Sequence, residues 1–156
     1  MRLSSCFSCL VIFVLSGCEL QNIKPSGDLS EIIEVEKRAA VAYQNEDWQT
    51  AEREYLYLAK NVPSQPDPWF RLGNIYARTN RLDTAVAAYR NALIRDSKNS
   101  KIWHNLGIVQ LRLATNTFIE MLQYTKEDDP LYTRATNVIN SVGDLMATGF
   151  EAPGDK

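Results

Sequence analysis

The chain has 156 residues, of which 45% are hydrophobic and 23% are charged, and its formal net charge at pH 7 is −2. This length corresponds to one small domain with short additional segments, and the composition is that of an ordinary globular protein. Because basic residues are not in excess, the charge balance does not favour nucleic acid as a partner.

The first residues have the pattern of a targeting segment rather than of a folded element. Arg2 supplies a positive charge, residues 10–15 form an unbroken apolar run, and Leu15-Ser16-Gly17-Cys18 follows. The apolar stretch is shorter than the roughly 20 residues that a membrane-spanning helix requires. The sequence therefore predicts a cleaved signal, either of an ordinary secreted protein or of a lipidated one.

The tetrapeptide that ends at Cys18 resembles the lipobox of bacterial lipoproteins. This resemblance implies that residues 1–17 are a signal peptide, that the Cys18 thiol carries a lipid, and that the protein is anchored in the cell envelope. Residues 18–27 then form a flexible tether, because they are polar, aperiodic and contain Pro25-Ser26-Gly27. In such lipoproteins, an aspartate directly after the lipidated cysteine retains the protein in the inner membrane. Glu19 occupies that position here, so the resemblance implies a location at the outer membrane, facing the periplasm.

Two helices are predicted between the tether and the first proline cluster. Asp28 is a suitable N-cap for a helix that extends to about Asn45. A second helix extends from Trp48 to about Asn61. The apolar positions that recur at helical spacing, and that we expect to be buried, are Ile32, Val35, Ala39, Ala42 or Tyr43, Ala51, Tyr55 and Leu58.

Residues 66–99 contain the strongest pattern in the chain. Two helical periodicities follow one another here, and Thr79-Asn80 between them allows a tight turn because asparagine tolerates a left-handed conformation. This stretch resembles a tetratricopeptide repeat (TPR), a unit of about 34 residues that forms two antiparallel helices. The matching positions, which the resemblance places in the core, are Trp69, Leu72, Gly73, Tyr76, Ala85, Tyr89 and Ala92.

Neighbouring units are expected, because one helix pair cannot bury its own apolar face. One repeat length after the first helix of the central unit lie Trp103, Leu106 and Gly107, which the resemblance also places in the core. One repeat length before its second helix lie Ala51, Tyr55 and Pro63. We therefore predict an all-α fold over residues 28–147, a short α-solenoid of about three TPR-like helix pairs with a C-terminal capping helix.

The C-terminal part of the predicted domain leaves one alternative open. Ser100 is a plausible N-cap, and the residues that follow could form either one long helix or a helix pair that turns near Thr115-Asn116. Pro130 and the acidic residues before it predict the start of a further helix. Its apolar stripe comprises Leu131, Ala135, Val138, Ile139, Val142, Leu145 and Met146, and residues 148–156 are expected to be a loose tail.

The residues that support catalysis are scarce. Cys6 and Cys9 lie in the predicted signal peptide, Cys18 is the cysteine that the lipobox resemblance assigns to the lipid, and His104 is the only histidine. The sequence shows no spacing of histidines and cysteines typical of a metal site and no glycine-rich phosphate loop. We therefore predict that the protein is not an enzyme and that it needs no metal or cofactor.

The resemblance to tetratricopeptide repeats implies a groove lined by the first helix of each unit. Its residues are Asp67, Phe70, Asn74, Ala77 and Arg78 in the best-matching unit and Lys101, His104, Ile108, Leu111 and Arg112 in the next. Asn74 and Asn105 are at the places where family members hold a peptide backbone, although asparagine is also common there for packing. Phe70 stands where a carboxylate-binding clamp has lysine, so that clamp is not expected.

These features together predict an outer-membrane-anchored adaptor that binds a protein partner in the periplasm through its groove. TPR lipoproteins of this kind include pilotins, pilus-assembly lipoproteins and adaptors for peptidoglycan hydrolases. One alternative is a structural subunit of an envelope complex that uses a face outside the groove. A peptidoglycan-active enzyme, which would depend on His104, is the third hypothesis.

Overall fold

The computed structural model describes residues 28–147, and this part of the chain contains six α-helices and no strand. They are α1 (Leu29–Gln44), α2 (Trp48–Asn61), α3 (Asp67–Arg78), α4 (Leu82–Arg95), α5 (Ser100–Leu122) and α6 (Pro130–Ala147). Each helix packs on the next one along the chain, and α3 also contacts α5. The predicted all-α, short solenoid architecture is confirmed. The predicted signal peptide, the predicted lipidation site Cys18, the predicted tether and the predicted C-terminal tail lie outside the described residues.

Short turns close the first two helix pairs. Glu46, between α1 and α2, has φ 57°, and Asn80, between α3 and α4, has φ 59°. Both residues therefore adopt the left-handed conformation, which lets a helix end and the chain reverse within a few residues. The turn that the sequence predicts at Thr79-Asn80 is confirmed.

Side-chain caps fix where several helices begin. The carboxylate of Asp28 accepts a hydrogen bond from the Ser30 backbone N–H at 3.1 Å, which confirms the predicted start of α1. Asn99, rather than the predicted Ser100, caps α5, since its side-chain oxygen accepts from the Lys101 N–H at 3.2 Å. The correction is by one residue, because either side chain can satisfy a free N–H of the first turn.

The core runs through the interior of all three helix pairs. Every residue predicted to be buried in α1 and α2 is buried, both Ala42 and Tyr43 included. In the central unit the buried predicted residues are Leu72, Gly73, Tyr76, Ala85, Tyr89 and Ala92, while Trp69 is partly buried against the same cluster. A Cβ atom added at Gly73 would lie 2.5 Å from Cδ1 of Tyr89. Only glycine therefore allows α4 to place its tyrosine ring against α3.

The helix that begins at Ser100 is continuous to Leu122, which settles the alternative left open by the sequence. Threonines near the expected turn are accommodated within the helix, because the Thr115 hydroxyl donates to the Leu111 carbonyl at 2.9 Å and Thr117 to Leu113 at 3.1 Å. Such bonds satisfy the hydroxyl inside a helix without ending it. The third unit consequently has no second helix at the place that the repeat spacing assigns to it.

The third helix pair is formed by α5 and α6. Of the predicted α6 stripe, Ala135 is buried, and Ile139, Val142 and Met146 are half-buried. Leu131, Val138 and Leu145 are instead exposed. The predicted capping helix is therefore the partner of α5 rather than an addition to a complete third pair, and only one side of its stripe is covered.

Candidate protein-binding surface

The predicted groove residues lie on α3 and α5, which are neighbours in the solenoid. Their exposure divides them into two groups. Asn74 and Asn105 are buried. The remaining residues, which we call the first-helix surface, are Asp67, Arg78 and Lys101, which are exposed, and Phe70, His104, Ile108 and Arg112, which are half-buried. The residues Ala77 and Leu111, which the repeat pattern also places here, are half-buried.

The two buried asparagines belong to one hydrogen-bonded cluster. Oδ1 of Asn74 accepts from the Tyr89 hydroxyl at 2.7 Å and from Nδ2 of Asn105 at 2.9 Å. Nδ1 of His104 lies 3.3 Å from Oδ1 of Asn105. Because the members come from α3, α4 and α5, these bonds fix the orientation of the second helix pair relative to the third.

The remaining polar group of Asn74 has no partner among the described residues. With two donors at Oδ1, the amide orientation is fixed, and Nδ2 is enclosed without an acceptor. An unsatisfied buried donor is costly, so it is expected where function or an unseen ligand requires it. Asn74 is only 4% exposed, however, so a peptide carbonyl could reach Nδ2 only if the side chains over it move.

The side chain of Phe70 takes part in core packing to a greater extent than the sequence indicated. Its side chain packs against the buried cluster, and its ring centroid lies 6.1 Å from that of Tyr89. Only part of the ring is therefore available to a ligand.

The basic residues of the first-helix surface differ in how they are held. Both Nη atoms of Arg112 are engaged at the end of α3, where they donate to the Ala77 carbonyl at 2.9 Å and to Oδ1 of Asn80 at 3.2 Å. The Arg78 guanidinium lies over the Trp48 ring, 5.6 Å from its centroid. Lys101 is exposed in the first turn of α5.

Arginines stacked on aromatic rings are a feature that the sequence did not predict. Arg71 lies 5.1 Å from the Tyr43 centroid, and Arg95 lies 5.1 Å from that of Trp69. Since Arg71 is on α3 and Tyr43 on α1, one of these contacts joins successive repeats. A long-range contact of this kind leaves no signal in local periodicity.

A second link between the first two repeats is ionic. Arg81 grips Glu52 of α2 with both Nη atoms, at 2.6 and 3.0 Å, while its guanidinium lies 4.5 Å from the Tyr76 centroid. The hydrogen bond from Arg81 holds the pKa of the Glu52 carboxyl below its ordinary value. Burial, together with the nearby Glu52, raises the pKa of Tyr76. The first effect follows from the bidentate pair, and the second mainly from the burial of the Tyr76 hydroxyl.

The prediction that Trp103 is a core residue is wrong. Its side chain is 55% exposed, and its indole N–H donates to the Ser97 carbonyl at 2.9 Å. Gly107 is half-buried, and a Cβ added to it would meet nothing within 4 Å. Leu106, on the side of α5 that faces the solenoid, is buried as predicted. The physical reason is that α5 continues without a break to Leu122, so the repeat-spaced second helix that would cover Trp103 and Gly107 does not form there.

An open groove of about 450 Å³ occupies this part of α5. We call it the α5 groove, and it is lined by Trp103, His104, Gly107, Gln110 and Leu111. Gln110 was not singled out from the sequence. The repeat spacing gives the missing signal, since it aligns Gln110 with Tyr76 of the central unit.

The described residues also bear on two other functions. Between residues 28 and 147, no group of three or more His, Cys, Asp or Glu side chains is placed to hold a metal ion. In the same range, no helix combines the length and the apolar character that crossing a membrane requires.

Comparisons with known proteins agree with this architecture. Residues 37–100 match the family model described as tetratricopeptide repeat. The structure is similar to the crystal structure of the Sgt2 TPR domain from Aspergillus fumigatus, with a TM-score of 0.53 and 16% sequence identity. The similarity covers 86% of this chain and 91% of the other chain. The match and the shared fold together support a tetratricopeptide repeat domain. Proteins with such domains are generally scaffolds for protein–protein interaction, and neither finding indicates a catalytic family.

One curated protein shows similarity in sequence. Over 84 residues, which are 53% of this chain, it is 30% identical to the general transcriptional corepressor ssn6 of Schizosaccharomyces pombe. The matched region spans 8% of the length of that corepressor. The resemblance thus concerns the repeats rather than the whole of either protein.

Proposed function

We propose that this protein is a lipid-anchored adaptor of a bacterial envelope, at the outer membrane and facing the periplasm, which binds a protein partner through its first-helix surface. The observation that carries the proposal is the arrangement of that surface. On it, exposed and half-buried basic side chains occur together with half-buried apolar ones on two helices that contact each other. Assembly of a pilus, a secretion system or another envelope complex is the setting that the sequence resemblance favours.

The charges of the first-helix surface favour a particular kind of partner segment. Three of its residues are basic, namely Arg78, Lys101 and Arg112, and one, Asp67, is acidic. Ile108, which lies between Lys101 and Arg112 in the sequence, is half-buried and adds apolar area to this surface. A segment with acidic and apolar side chains complements this combination, because charge complementarity steers encounter and apolar contact adds affinity.

The buried cluster supports binding indirectly. The bonds of Asn74 to Tyr89 and Asn105 hold α3 and α5 in one orientation, so the surface is formed before a partner arrives. A preformed surface loses less conformational entropy on binding. Asn74 is therefore assigned a positioning role, and removing its side chain would disturb the fold as well as the surface.

The anchor is supported by sequence alone. Leu15-Ser16-Gly17-Cys18 has the form of a lipobox, and residues 18–27 separate Cys18 from the first described residue. A tether of this length spans at most about 33 Å when fully extended, at roughly 3.3 Å per residue. The repeat domain would consequently act close to the membrane surface.

The test of the surface is a charge reversal with a matched control. Lys101→Glu and Arg78→Glu place negative charge on the first-helix surface, whereas Arg90→Glu makes the same change at an exposed site of α4. Partners would be captured from crosslinked envelopes and quantified. We expect both surface variants to lose at least nine-tenths of the captured partner and Arg90→Glu to retain it. Equal capture by all three variants would indicate that the partner contacts another face, as in the structural-subunit alternative.

The test of the anchor is Cys18→Ser. Without the thiol, lipidation and normal processing should fail, and an unlipidated precursor should accumulate in immunoblots of fractionated cells. Wild-type protein that is processed and released with the soluble periplasmic fraction would refute the anchor while leaving the binding surface untouched.

A further inference from the structure

One row of apolar residues on α6 is exposed. Leu131, Val138 and Leu145 recur every seven residues, and they are 51%, 37% and 42% exposed. Among the described helices, α6 contacts only α5. In repeat domains, a helix with neighbours on one side only normally has a polar outer face, because that face meets water. The apolar row, which we call the α6 row, is therefore a candidate contact surface.

The spacing of the α6 row indicates what kind of surface can cover it. A spacing of seven residues keeps the row on one face of the helix over the about five turns of α6. Side chains in this pattern fit between those of a second helix that carries a row of the same spacing, as in coiled coils. In a second copy of the chain, α6 carries exactly such a row.

Two charged side chains border the α6 row. Arg134 and Asp144 are exposed, and both lie on the flank away from Ala135, which is buried. In a parallel pair of α6 helices, Arg134 would face a second arginine and Asp144 a second aspartate. Like charges placed opposite each other weaken an interface. The charges therefore disfavour a parallel pair.

An antiparallel pair accommodates both the apolar row and the charges. When Val138 lies on a two-fold axis, Leu131 of one copy faces Leu145 of the other, and the symmetry repeats the contact. In this register, Arg134 of one copy lies within two residues of the level of Asp144 of the second copy, about 3 Å along the helix axis. An arginine side chain is longer than this offset, so two ion pairs can form, one on each side of the axis.

We propose that two copies of this chain associate through the α6 row, with their α6 helices antiparallel and Val138 on the two-fold axis. The α6 row is separate from the first-helix surface, which lies on α3 and α5. A dimer of this kind carries two first-helix surfaces, so it binds a partner with two sites more tightly than a single copy does. The association itself does not depend on the proposed function.

The test of the axis is disulfide cross-linking of the full chain in cells that are oxidised with copper phenanthroline. Val138→Cys places one thiol beside its symmetry mate, so we expect a disulfide-linked dimer on non-reducing gels. Asn140→Cys is the matched control, because Asn140 is exposed on the side of α6 away from the row, and it should give no dimer. The wild type, which has Cys6, Cys9 and Cys18, sets the background. Val138→Cys at background level, or Asn140→Cys at the level of Val138→Cys, would overturn the proposal.

The direction of the helices is tested with two differently tagged variants. In the antiparallel pair, Leu131 of one copy meets Leu145 of the other, whereas the two Leu131 residues are about 21 Å apart along the axis. Leu131→Cys and Leu145→Cys should therefore cross-link when they are expressed together and not when either is expressed alone. Dimers of each variant by itself, at the yield of the mixture, would contradict the antiparallel arrangement.

A charge exchange tests the register without cysteines. Arg134→Glu turns two attractive pairs into repulsive ones, so the dissociation constant of the dimer should rise by about tenfold. It is measured by sedimentation equilibrium of the purified full chain in one mild detergent. Arg134→Glu combined with Asp144→Arg exchanges the charges and should restore the wild-type value. A double variant that associates no more tightly than Arg134→Glu would contradict the pairing of these two residues.

Discussion

The contact between Gly73 and Tyr89 allows a sharp test of how the central repeat is packed. A Cβ at Gly73 would lie within 2.9 Å of three atoms of the tyrosine ring, which is itself 1% exposed and bonded through its hydroxyl to Asn74. Gly73→Ala must therefore move the ring or separate α3 from α4. Overpacking of this kind costs about 1–3 kcal/mol. Loss of the tyrosine hydrogen bond adds about 1 kcal/mol.

An opposing term sets the net magnitude. Alanine is favoured over glycine within a helix by about 0.8–1.0 kcal/mol. The expected net loss of unfolding free energy in Gly73→Ala is therefore about 1–3 kcal/mol. Gly143, on α6, is the matched control, because a Cβ there meets nothing within 4 Å, and Gly143→Ala should stabilise by about 0.5–1 kcal/mol.

The assay is urea unfolding followed by circular dichroism, with all variants measured at one pH and salt concentration. In a Tyr89→Ala background the cost of Gly73→Ala should fall, since the ring that it meets is gone. We expect Gly143→Ala to be at least as stable as the wild type. The same result for Gly73→Ala would refute the close packing of α3 on α4.

Three further predictions follow from the contacts between repeats. Glu52→Gln removes the ion pair with Arg81. Because the pKa of Glu52 is depressed in the folded state, the wild type should be more stable than this variant at neutral pH and should lose the advantage as the pH falls below the ordinary value of 4.5. Urea unfolding at pH values between about 7 and about 3 measures the difference. Trp69→Ala should cost about 2–4 kcal/mol and Trp103→Ala less than about 1 kcal/mol, and similar losses for both would contradict the exposure of Trp103. Asn105→Ala should cost about 1–3 kcal/mol, since it leaves Asn74 with one donor fewer inside the core, and an unchanged unfolding midpoint would show that this bond is not formed.

The local pattern of the sequence was sufficient for the first four helices. In α1 and α2, apolar residues recur at the spacing of one helix face, and Asp28 and the turn residues set the ends, so the bounds and buried positions could be predicted. In the central repeat, Gly73 and Tyr89 could both be assigned to the core because the repeat motif fixes their positions. These predictions depend on short-range rules that each segment obeys by itself.

The candidate surface was predicted less completely. The repeat positions indicated which residues lie on α3 and α5, but they did not separate exposed Lys101 from buried Asn74. That distinction depends on neighbours from other helices, such as the Tyr89 hydroxyl that bonds to Asn74. The arginine of the Arg81–Glu52 pair lies 29 positions from its partner, a separation at which periodicity carries no information.

The sequence by itself determined the all-α repeat architecture, the register of the repeats and the lipobox-like motif, because spacing, caps and motifs depend on residues that are close together in the chain. Only the tertiary structure decided that α5 continues unbroken to Leu122, and hence that Trp103 is exposed although Trp69 in the same register is partly buried against the core. A side chain is buried by what packs over it. Identical residues at identical repeat positions therefore differ in exposure when the helix that should cover one of them lies elsewhere.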